Sequence, residues 1–351
     1  MSAVTAGVLL AGLGSLPAEA APAAKVRSWK VSQVTGIKEP DKLAAVSVTG
    51  RRGAWALGHK SDGQLTLGRW DGAKWRLVKA PAVIRKPGQY QYYENLAASS
   101  DKNVWAFASV NDEPTQTLHW DGKKWAKKTI PGGVRVAAAA TVSPTHAWVS
   151  DLYRSELHRW NGKVWKPVHT PGTVADIELT SAASGWAVGV AKGQPLALRW
   201  NGKQWKQVPT PHFPPGNWGI ETSLTSVVAP SPNNVWAVGI RQSHDPDESD
   251  KPVVLHWNGK KWSKAAVPGR YFSGLYDVRK DGQGGLWMRG ANALFHYRAG
   301  KWTKVQPPQL NGYDGAYQDI ANVPGTTSML GVGYGYTDGG NATDGAFFAT
   351  R

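Results

Sequence analysis

One tryptophan-rich phrase recurs along the chain and constrains its fold more than any other feature. Each copy reads Trp, then Asn or Asp, Gly, two further residues and a second Trp, as in the segment Trp160–Trp165. Copies begin at Trp70, Trp120, Trp160, Trp200 and Trp257, and a degenerate copy begins at Tyr297. Asn-Gly or Asp-Gly between apolar residues predicts a β-hairpin, because these residues tolerate the positive φ of a two-residue turn. Each phrase is therefore predicted to be two antiparallel strands joined by a two-residue turn.

A second phrase precedes each hairpin and supplies a further strand. It reads Trp, a small residue, an apolar residue and often Gly, and its copies begin at Trp55, Trp105, Trp148, Trp186, Trp236 and Trp287. A short apolar run lies upstream of each copy, for example Leu224–Val228. The hairpin phrases follow one another at intervals of 40 to 57 residues, which is the size of a four-stranded propeller blade.

The two ends of the chain complete one further unit. Residues 319–323, 328–334 and 345–350 supply three strands, and residues 28–34 match the strand that ends each hairpin. We therefore predict an all-β fold, a seven-bladed β-propeller of four-stranded antiparallel blades, with the last blade closed by the N-terminal strand. Residues 25–351 are predicted to form this single domain. Ring closure removes exposed strand edges.

The pairing of the phrase Val235–Gly239 with the phrase Leu255–Trp262 resembles the repeat of secreted bacterial propeller proteins. These proteins are grouped loosely with kelch and galactose-oxidase-like propellers. The resemblance implies the architecture and no particular reaction. The cofactor of galactose oxidase needs a Cys, and this chain has none.

Residues 1–24 are predicted to be a secretion signal. The stretch Val4–Leu16 is apolar, and Ala18–Ala20 is a small-x-small cleavage motif, so the mature chain would begin near Ala21. A disordered tail is the alternative, because no Lys or Arg precedes the apolar stretch. We expect a secreted, extracellular protein, and no later segment is apolar enough for a membrane span.

The charge balance indicates which partners the chain attracts. Its 41 Lys and Arg residues against 25 Asp and Glu residues give a net charge of +16, which favours polyanions. The predicted partners are a glycan or anionic cell-wall polymer, or another secreted protein. Nucleic acid is disfavoured, because the hairpin Lys residues are spread around the rim rather than gathered beside stacking aromatics in one groove. We expect a monomer or a subunit of a larger complex, with no cofactor and no metal.

The irregular blade-connecting loops form the predicted ligand-binding face, because loops on a rigid scaffold often carry function. Of the 19 Trp residues, Trp218 alone lies outside the repeat positions, and the others are predicted to pack between blades. Aromatic rings beside carboxylates and amides suit carbohydrate or peptide recognition, although mutual packing of the loops is the alternative. The candidate ligand-binding residues of these loops are Trp218, Tyr90, Tyr92, Tyr93, Glu94, Tyr153, Arg241, Tyr313 and Tyr317.

The residues that lie ten positions before the Trp of each second phrase are mostly polar, and we call this aligned set the polar column. It comprises Ala45, Asn95, Ala138, Asp176, Ser226 and Asp277, with Asp319 equivalent at the C-terminal end. Asn95, Asp176, Asp277 and Asp319 are predicted to surround the channel mouth, where they could bind a cation or an amine. Alternatively each Asp caps backbone N–H groups of the loops, which is the interpretation we favour.

The sequence contains no Gly-x-Ser-x-Gly, His-Glu-x-x-His or phosphate-loop motif. We therefore predict a non-catalytic binding module that recognises a glycan, a cell-wall polymer or a partner protein through the blade-connecting loop face. One alternative is a polysaccharide-acting enzyme, a glycoside hydrolase or lyase, with carboxylates such as Glu94 and Asp319 or Asp277 at the channel mouth. The other is a structural subunit of a secreted assembly.

Overall fold

The computed structural model describes residues 30–32, 42–60, 64–79, 92–110, 113–214, 221–243, 249–269, 273–291, 293–305, 309–310, 313–336 and 343–350. Every regular element within these ranges is a β-strand. The predicted secretion signal, Tyr90 and Trp218 lie outside the described residues. Across the described ranges, no helix is long and apolar enough to cross a membrane.

Strand β1 (Lys30–Ser32) is followed by six sheets of four antiparallel strands, each paired in chain order. The first three sheets are β2 (Lys42–Gly50), β3 (Gly53–His59), β4 (Leu65–Trp70) and β5 (Trp75–Val78); β6 (Tyr92–Ser100), β7 (Asn103–Val110), β8 (Gln116–Trp120) and β9 (Trp125–Lys128); and β10 (Val136–Ser143), β11 (His146–Asp151), β12 (Glu156–Trp160) and β13 (Trp165–His169). The next three are β14 (Thr173–Ser181), β15 (Ser184–Ala191), β16 (Gln194–Trp200) and β17 (Trp205–Gln207); β18 (Glu221–Ser231), β19 (Asn234–Gln242), β20 (Lys251–Trp257) and β21 (Trp262–Lys264); and β22 (Leu275–Lys280), β23 (Leu286–Gly290), β24 (Leu294–Arg298) and β25 (Lys301–Val305).

The remaining strands form a five-stranded sheet of order β1-β29-β28-β27-β26. Its C-terminal members are β26 (Gln309–Leu310), β27 (Tyr313–Asn322), β28 (Met329–Tyr336) and β29 (Thr343–Thr350). Strand β1 pairs antiparallel with β29. The predicted count of seven four-stranded blades is therefore wrong. Six blades have four strands, and the last sheet has a fifth because β26 pairs with the start of β27.

The first strand of each four-stranded sheet, and β27 of the five-stranded sheet, face the centre of the molecule. First strands of successive sheets contact one another, and β27 contacts both β22 and β2. Apolar clusters join the five-stranded sheet to its neighbours, with Ile320 packed near Trp287 on one side and Leu330 near Leu43 on the other. The fold is a β-propeller with four-stranded antiparallel blades around a central channel.

Groups of three Trp residues hold neighbouring blades together. Trp148 of β11 contacts Trp200 and Trp205 of the next hairpin, with ring centroids 5.0 and 5.5 Å apart. The same arrangement joins Trp55 to Trp120 and Trp125, Trp105 to Trp160 and Trp165, and Trp186 to Trp257 and Trp262. Packing between blades is thus confirmed as the role of these repeat Trp residues.

The hairpin turns differ from the predicted two-residue type. In the third blade Trp160 pairs with Trp165, so the turn contains four residues. The Asn161 side chain accepts hydrogen bonds from the backbone N–H groups two and three residues later, at 2.9 and 3.0 Å. Of the first two turn residues only Gly162 has a positive φ, 93°. The Asn or Asp is therefore needed as a side-chain acceptor and not for a positive φ.

Candidate functional site

A cavity of about 270 Å³ lies where the first strands of the sheets converge. Its walls include residues of all six four-stranded blades and of β27. These residues lie close to the starts of the inner strands, which the blade-connecting segments lead into. The cavity is therefore the part of the central channel nearest the blade-connecting face.

A recurring β-bulge shapes the walls of this cavity. In six of the seven sheets the pairing of the first two strands shifts by one residue immediately before the predicted polar column. The bulged residues are Ala44, Ala137, Ala175, Thr225, Tyr276 and Gln318, and all of them line the cavity. A bulge redirects side chains, and here each bulge lets two consecutive residues of one strand face the channel.

The structure brings the polar column together, since Asn95, Asp176, Asp277 and Asp319 all line the cavity. The Asp176 carboxylate accepts a hydrogen bond from the Val227 N–H at 2.9 Å. Each such carboxylate caps the next inner strand, because Asp319 does the same for the N–H of Val46 at 2.9 Å. Each of the two also accepts a hydrogen bond from the N–H of the next residue on its own strand, Ile177 or Ile320. These two Asp residues therefore cap backbone N–H groups, but the N–H groups belong to strands and not to loops.

Arg279 lies at the centre of the carboxylates. Its Nη1 is 2.6 Å from Asp277 Oδ1 and 3.9 Å from Asp176 Oδ2. Its Nη2 is 3.5 Å from Asp319 Oδ1, and its Nη1 donates to Ser226 Oγ at 3.2 Å. One guanidinium thus joins side chains of four sheets. It offsets the charge of a cluster that would otherwise repel itself.

Burial shifts the ionisation of this cluster. Desolvation raises the pKa of Glu178, next to Arg279, to about 7, and raises the pKa of Asp319 to about 7. Burial raises the pKa of Asp176 as well, although Arg279 opposes the change. Burial lowers the pKa of Arg279, but the four surrounding carboxylates more than reverse this and raise it overall. Near neutral pH the cavity therefore holds a permanent cation among partly protonated acids.

The other candidate residues are dispersed around the fold. Glu94 lines the cavity and its carboxylate is 2.9 Å from His59 Nδ1. Tyr153 is 56% exposed and lies in the β11–β12 connection. Arg241, on β19, donates to the carbonyl of Pro214 at 3.1 Å.

Four of the predicted loop Tyr residues lie on strands, because the inner strands begin earlier than the sequence pattern suggests. Tyr92 and Tyr93 are the first residues of β6. Tyr313 and Tyr317 belong to β27. Tyr317 is buried in the apolar cluster beside Trp287 and Ile320.

Sequence reasoning missed Tyr276, Arg279, Arg289 and Gln318, which line the cavity. Tyr276 and Gln318 occupy the position eleven residues before the second-phrase Trp or its equivalent, and only the bulge brings this position to the cavity wall. Arg279 follows Asp277 by two residues on the same strand, and period-two alternation places both on one face.

The cavity offers hydrogen-bond donors and acceptors on several sides. Among the described residues, no group of three or more His, Asp or Glu side chains is placed to hold a metal ion. Carboxylates, the Asn95 and Gln318 amides, the Tyr276 ring and two guanidinium groups surround the same space. A small polar group of a ligand could be hydrogen-bonded on several sides there.

No protein-family model matches the sequence, and no curated protein matches it. Solved structures nevertheless share its fold. YCF48 bound to a D1 peptide is 15% identical, covers 93% of this chain and 96% of its own, and has a TM-score of 0.61. A catalytically inactive virginiamycin B lyase from Staphylococcus aureus with quinupristin is 11% identical, covers 92% and 99% of the two chains, and has a TM-score of 0.62. The SapL1 lectin in complex with alpha methyl fucoside is 13% identical over 78% of this chain and 98% of that chain, with a TM-score of 0.50. At these identities the similarities define the class of protein by its fold alone, a β-propeller.

Proposed function

We propose that the chain is a non-catalytic binding module that recognises a glycan or a segment of a partner protein through its blade-connecting face. The central cavity carries this proposal, because four of the six bulged sheets place polar side chains in this one space. A polar group of the ligand enters this space and the remainder lies across the surrounding loops. Similarly folded propellers whose names include a bound peptide or a fucoside support such a use of the fold.

We also propose that the module acts outside the cell. The apolar segment Val4–Leu16 and the cleavage motif that follows it support export. The basic hairpin face would add electrostatic affinity for an anionic cell-wall polymer. Exposed hairpin residues such as Lys123, Lys163 and Lys260 supply that charge.

We further propose that the five-stranded sheet acts as a seventh blade that closes the ring. Its β27 contacts both β22 and β2, and the pairing of Lys30 with Thr350 unites the two ends of the chain. A closed ring would hold the cavity walls at fixed distances, which a binding site requires.

Binding to purified cell wall, a glycan array and a peptide array tests the proposed function. Tyr276→Ala removes a partly exposed ring from the cavity wall, and we expect at least about a tenfold loss of affinity for the captured ligand. Val164→Ala is the matched control, because Val164 is 50% exposed on the hairpin face. Equal losses in both variants, or an unchanged Tyr276→Ala variant, would contradict the proposal. Product release from a polysaccharide by the wild type but not by Asp277→Asn would replace it with an enzyme.

A further inference from the structure

A second cleft opens on the blade-connecting side of the third blade. It has a volume of about 430 Å³ and is lined by Gly133, Arg135, Asp151, Tyr153 and Arg154. Two of these residues precede β10, and the other three lie at the end of β11 and in the connection that follows. Its residues differ from those of the central cavity, and its chemistry differs as well.

Tyr153 presents an aromatic ring in this cleft. The residue is 56% exposed, more than any other large hydrophobic residue in the described part of the chain. The Arg135 guanidinium lies 5.0 Å from the ring centroid, where a cation is attracted to the face of the ring. One face of Tyr153 is thereby held while much of the ring remains accessible.

The loop that carries Tyr153 is ordered by a buried acid. Asp151 is 2% exposed, and its Oδ1 accepts hydrogen bonds from the N–H groups of Tyr153 and Arg154 at 2.9 and 3.2 Å. Arg154 Nη1 donates to the carbonyl of Gly132 at 2.7 Å. The ring and the guanidinium are therefore presented in a fixed arrangement before any ligand arrives, which lowers the entropic cost of binding.

The charge of the cleft is positive towards solvent. Asp151 is buried, its Oδ1 accepts from backbone N–H groups, and its Oδ2 lies 3.7 Å from Arg154 Nη1. Half of the Arg154 side-chain surface, 51%, nevertheless faces solvent. Gly133, with a φ of 66°, lines the cleft without a side chain. The Gly132 carbonyl holds Nη1 of Arg154, so an anionic group would approach the guanidinium from its solvent-exposed side.

We propose that this cleft binds a carboxylate-bearing sugar, a uronic acid residue of an anionic polysaccharide. A pyranose ring offers a flat C–H face for Tyr153, and its carboxylate accepts charge-assisted hydrogen bonds from Arg154. The sugar ring and the carboxylate are rigidly joined in one uronic acid unit. This arrangement matches the fixed placement of the Tyr153 ring beside the Arg154 guanidinium. The proposal rests on the third blade alone and is independent of the central cavity.

Titration calorimetry of the whole chain with uronate tetrasaccharides tests this site. The ligands are tetrasaccharides of galacturonate, glucuronate and mannuronate, each compared with its carboxyl-reduced neutral counterpart. We expect at least one acidic tetrasaccharide to bind, and its neutral counterpart to bind at least about tenfold more weakly because a charge-assisted hydrogen bond is lost. Absence of binding by all three acidic tetrasaccharides would overturn the proposal.

Variants separate this site from general attraction to a basic protein. Arg154→Gln and Tyr153→Ala should each weaken binding by about tenfold, whereas Tyr153→Phe should retain it because the ring remains. Lys166→Gln removes the same charge from an exposed position on β13 of the same blade and should change the affinity by less than about twofold. An equal loss from Lys166→Gln and Arg154→Gln would assign the binding to net charge and overturn the site.

Two further measurements distinguish the class of ligand and the place on the protein where it binds. A tetraglutamate peptide that bound as tightly as the uronate would overturn the sugar assignment in favour of an acidic peptide. Tyr276→Ala should leave uronate binding unchanged. The experiment therefore distinguishes a wrong proposal for the central cavity from a wrong proposal for this cleft. Loss of uronate binding in Tyr276→Ala would place the ligand in the central cavity instead.

Discussion

Arg279 determines the character of the channel at the scale of single residues. Its guanidinium lies 2.6 Å from Asp277 and within 4 Å of Asp176 and Asp319. Removing it would leave several buried carboxylates uncompensated, which is far more costly than losing an exposed ion pair. Even with Arg279 in place, burial keeps the pKa values of Asp176, Glu178 and Asp319 raised. The charge of the cluster therefore depends on pH near neutrality.

The buried carboxyl group of Glu178 should make the stability of the protein depend on pH, and a single substitution can test its contribution. Burial raises its pKa from 4.5 to about 7, against the opposing effect of Arg279 and Lys280 and with the support of Asp176. Between these two values the folded chain binds more protons than the unfolded chain, so this group contributes stability that decreases as pH rises from about 4.5 to 7. Glu178→Gln should therefore raise the free energy of unfolding at pH 8 relative to wild type, by about 1–2 kcal/mol, and give little gain at pH 4.

Thermal unfolding at a series of pH values measures this difference. Glu113→Gln is the matched control, because Glu113 is exposed and should show no such pH-dependent gain. If the free energies of unfolding of Glu178→Gln and wild type changed with pH in parallel, Glu178 would be ionised in the folded chain at no energetic cost. That result would contradict the prediction.

At the scale of strands, close approach of the backbone explains the Gly that ends several second phrases. A Cβ on Gly189 would lie 2.0 Å from the carbonyl oxygen of Thr173, and one on Gly239 would lie 2.0 Å from that of Ser223. Both positions are opposite the bulge of the inner strand. The second blade has Ala108 at the equivalent position and no bulge there, whereas the third blade has the bulge opposite Asp151, so the close approach is specific to the blades that carry Gly.

Gly189→Ala should consequently destabilise the protein. The added methyl group would meet backbone rather than a mobile side chain, so the strand must shift, at a cost of about 1–3 kcal/mol. Gly50→Ala is the control, because a Cβ there has no atom within 4 Å. Denaturant unfolding of both variants checks the prediction, and equal midpoints would argue against a backbone clash at the bulge.

At the scale of the whole molecule, the two ends of the chain share a sheet. Strand β1 lies at the outer edge of the five-stranded sheet, beside β29. Without it, β29 would present an unpaired edge, which favours aggregation. The apolar clusters on either side of this sheet include Ile320 and Leu330, so loss of its order would affect the neighbouring blades.

A chain that begins at residue 37 should therefore melt several degrees below a chain that begins at residue 25. Both lack the predicted secretion signal, and they differ in the segment that contains β1. Differential scanning calorimetry measures the difference. Equal melting temperatures would show that β1 contributes nothing to the domain and would contradict ring closure by the N-terminal strand.

Part of the site could be read from the aligned repeats. Asp176 and Asp319 could be predicted because each lies at a fixed number of residues from the repeated Trp or its equivalent. That spacing determines their position on the inner strand. Tyr276 did not, because it occupies a bulge, and a bulge is created by pairing between strands that no local pattern reveals. Arg279 likewise looks like an ordinary strand residue until its neighbours from other sheets are known.

The four-stranded unit, the hairpin positions and the packing role of the repeat Trp residues could all be predicted from the repeat. Each of these depends on local periodicity and turn chemistry, which recur within one unit. Three features became visible only in the folded chain: β26 adds a fifth strand, side chains of four sheets meet on Arg279, and Tyr153 stacks on Arg135 beside Arg154. Those features depend on contacts between residues far apart in the chain, and the arrangement of the sheets around one axis sets the distances between them.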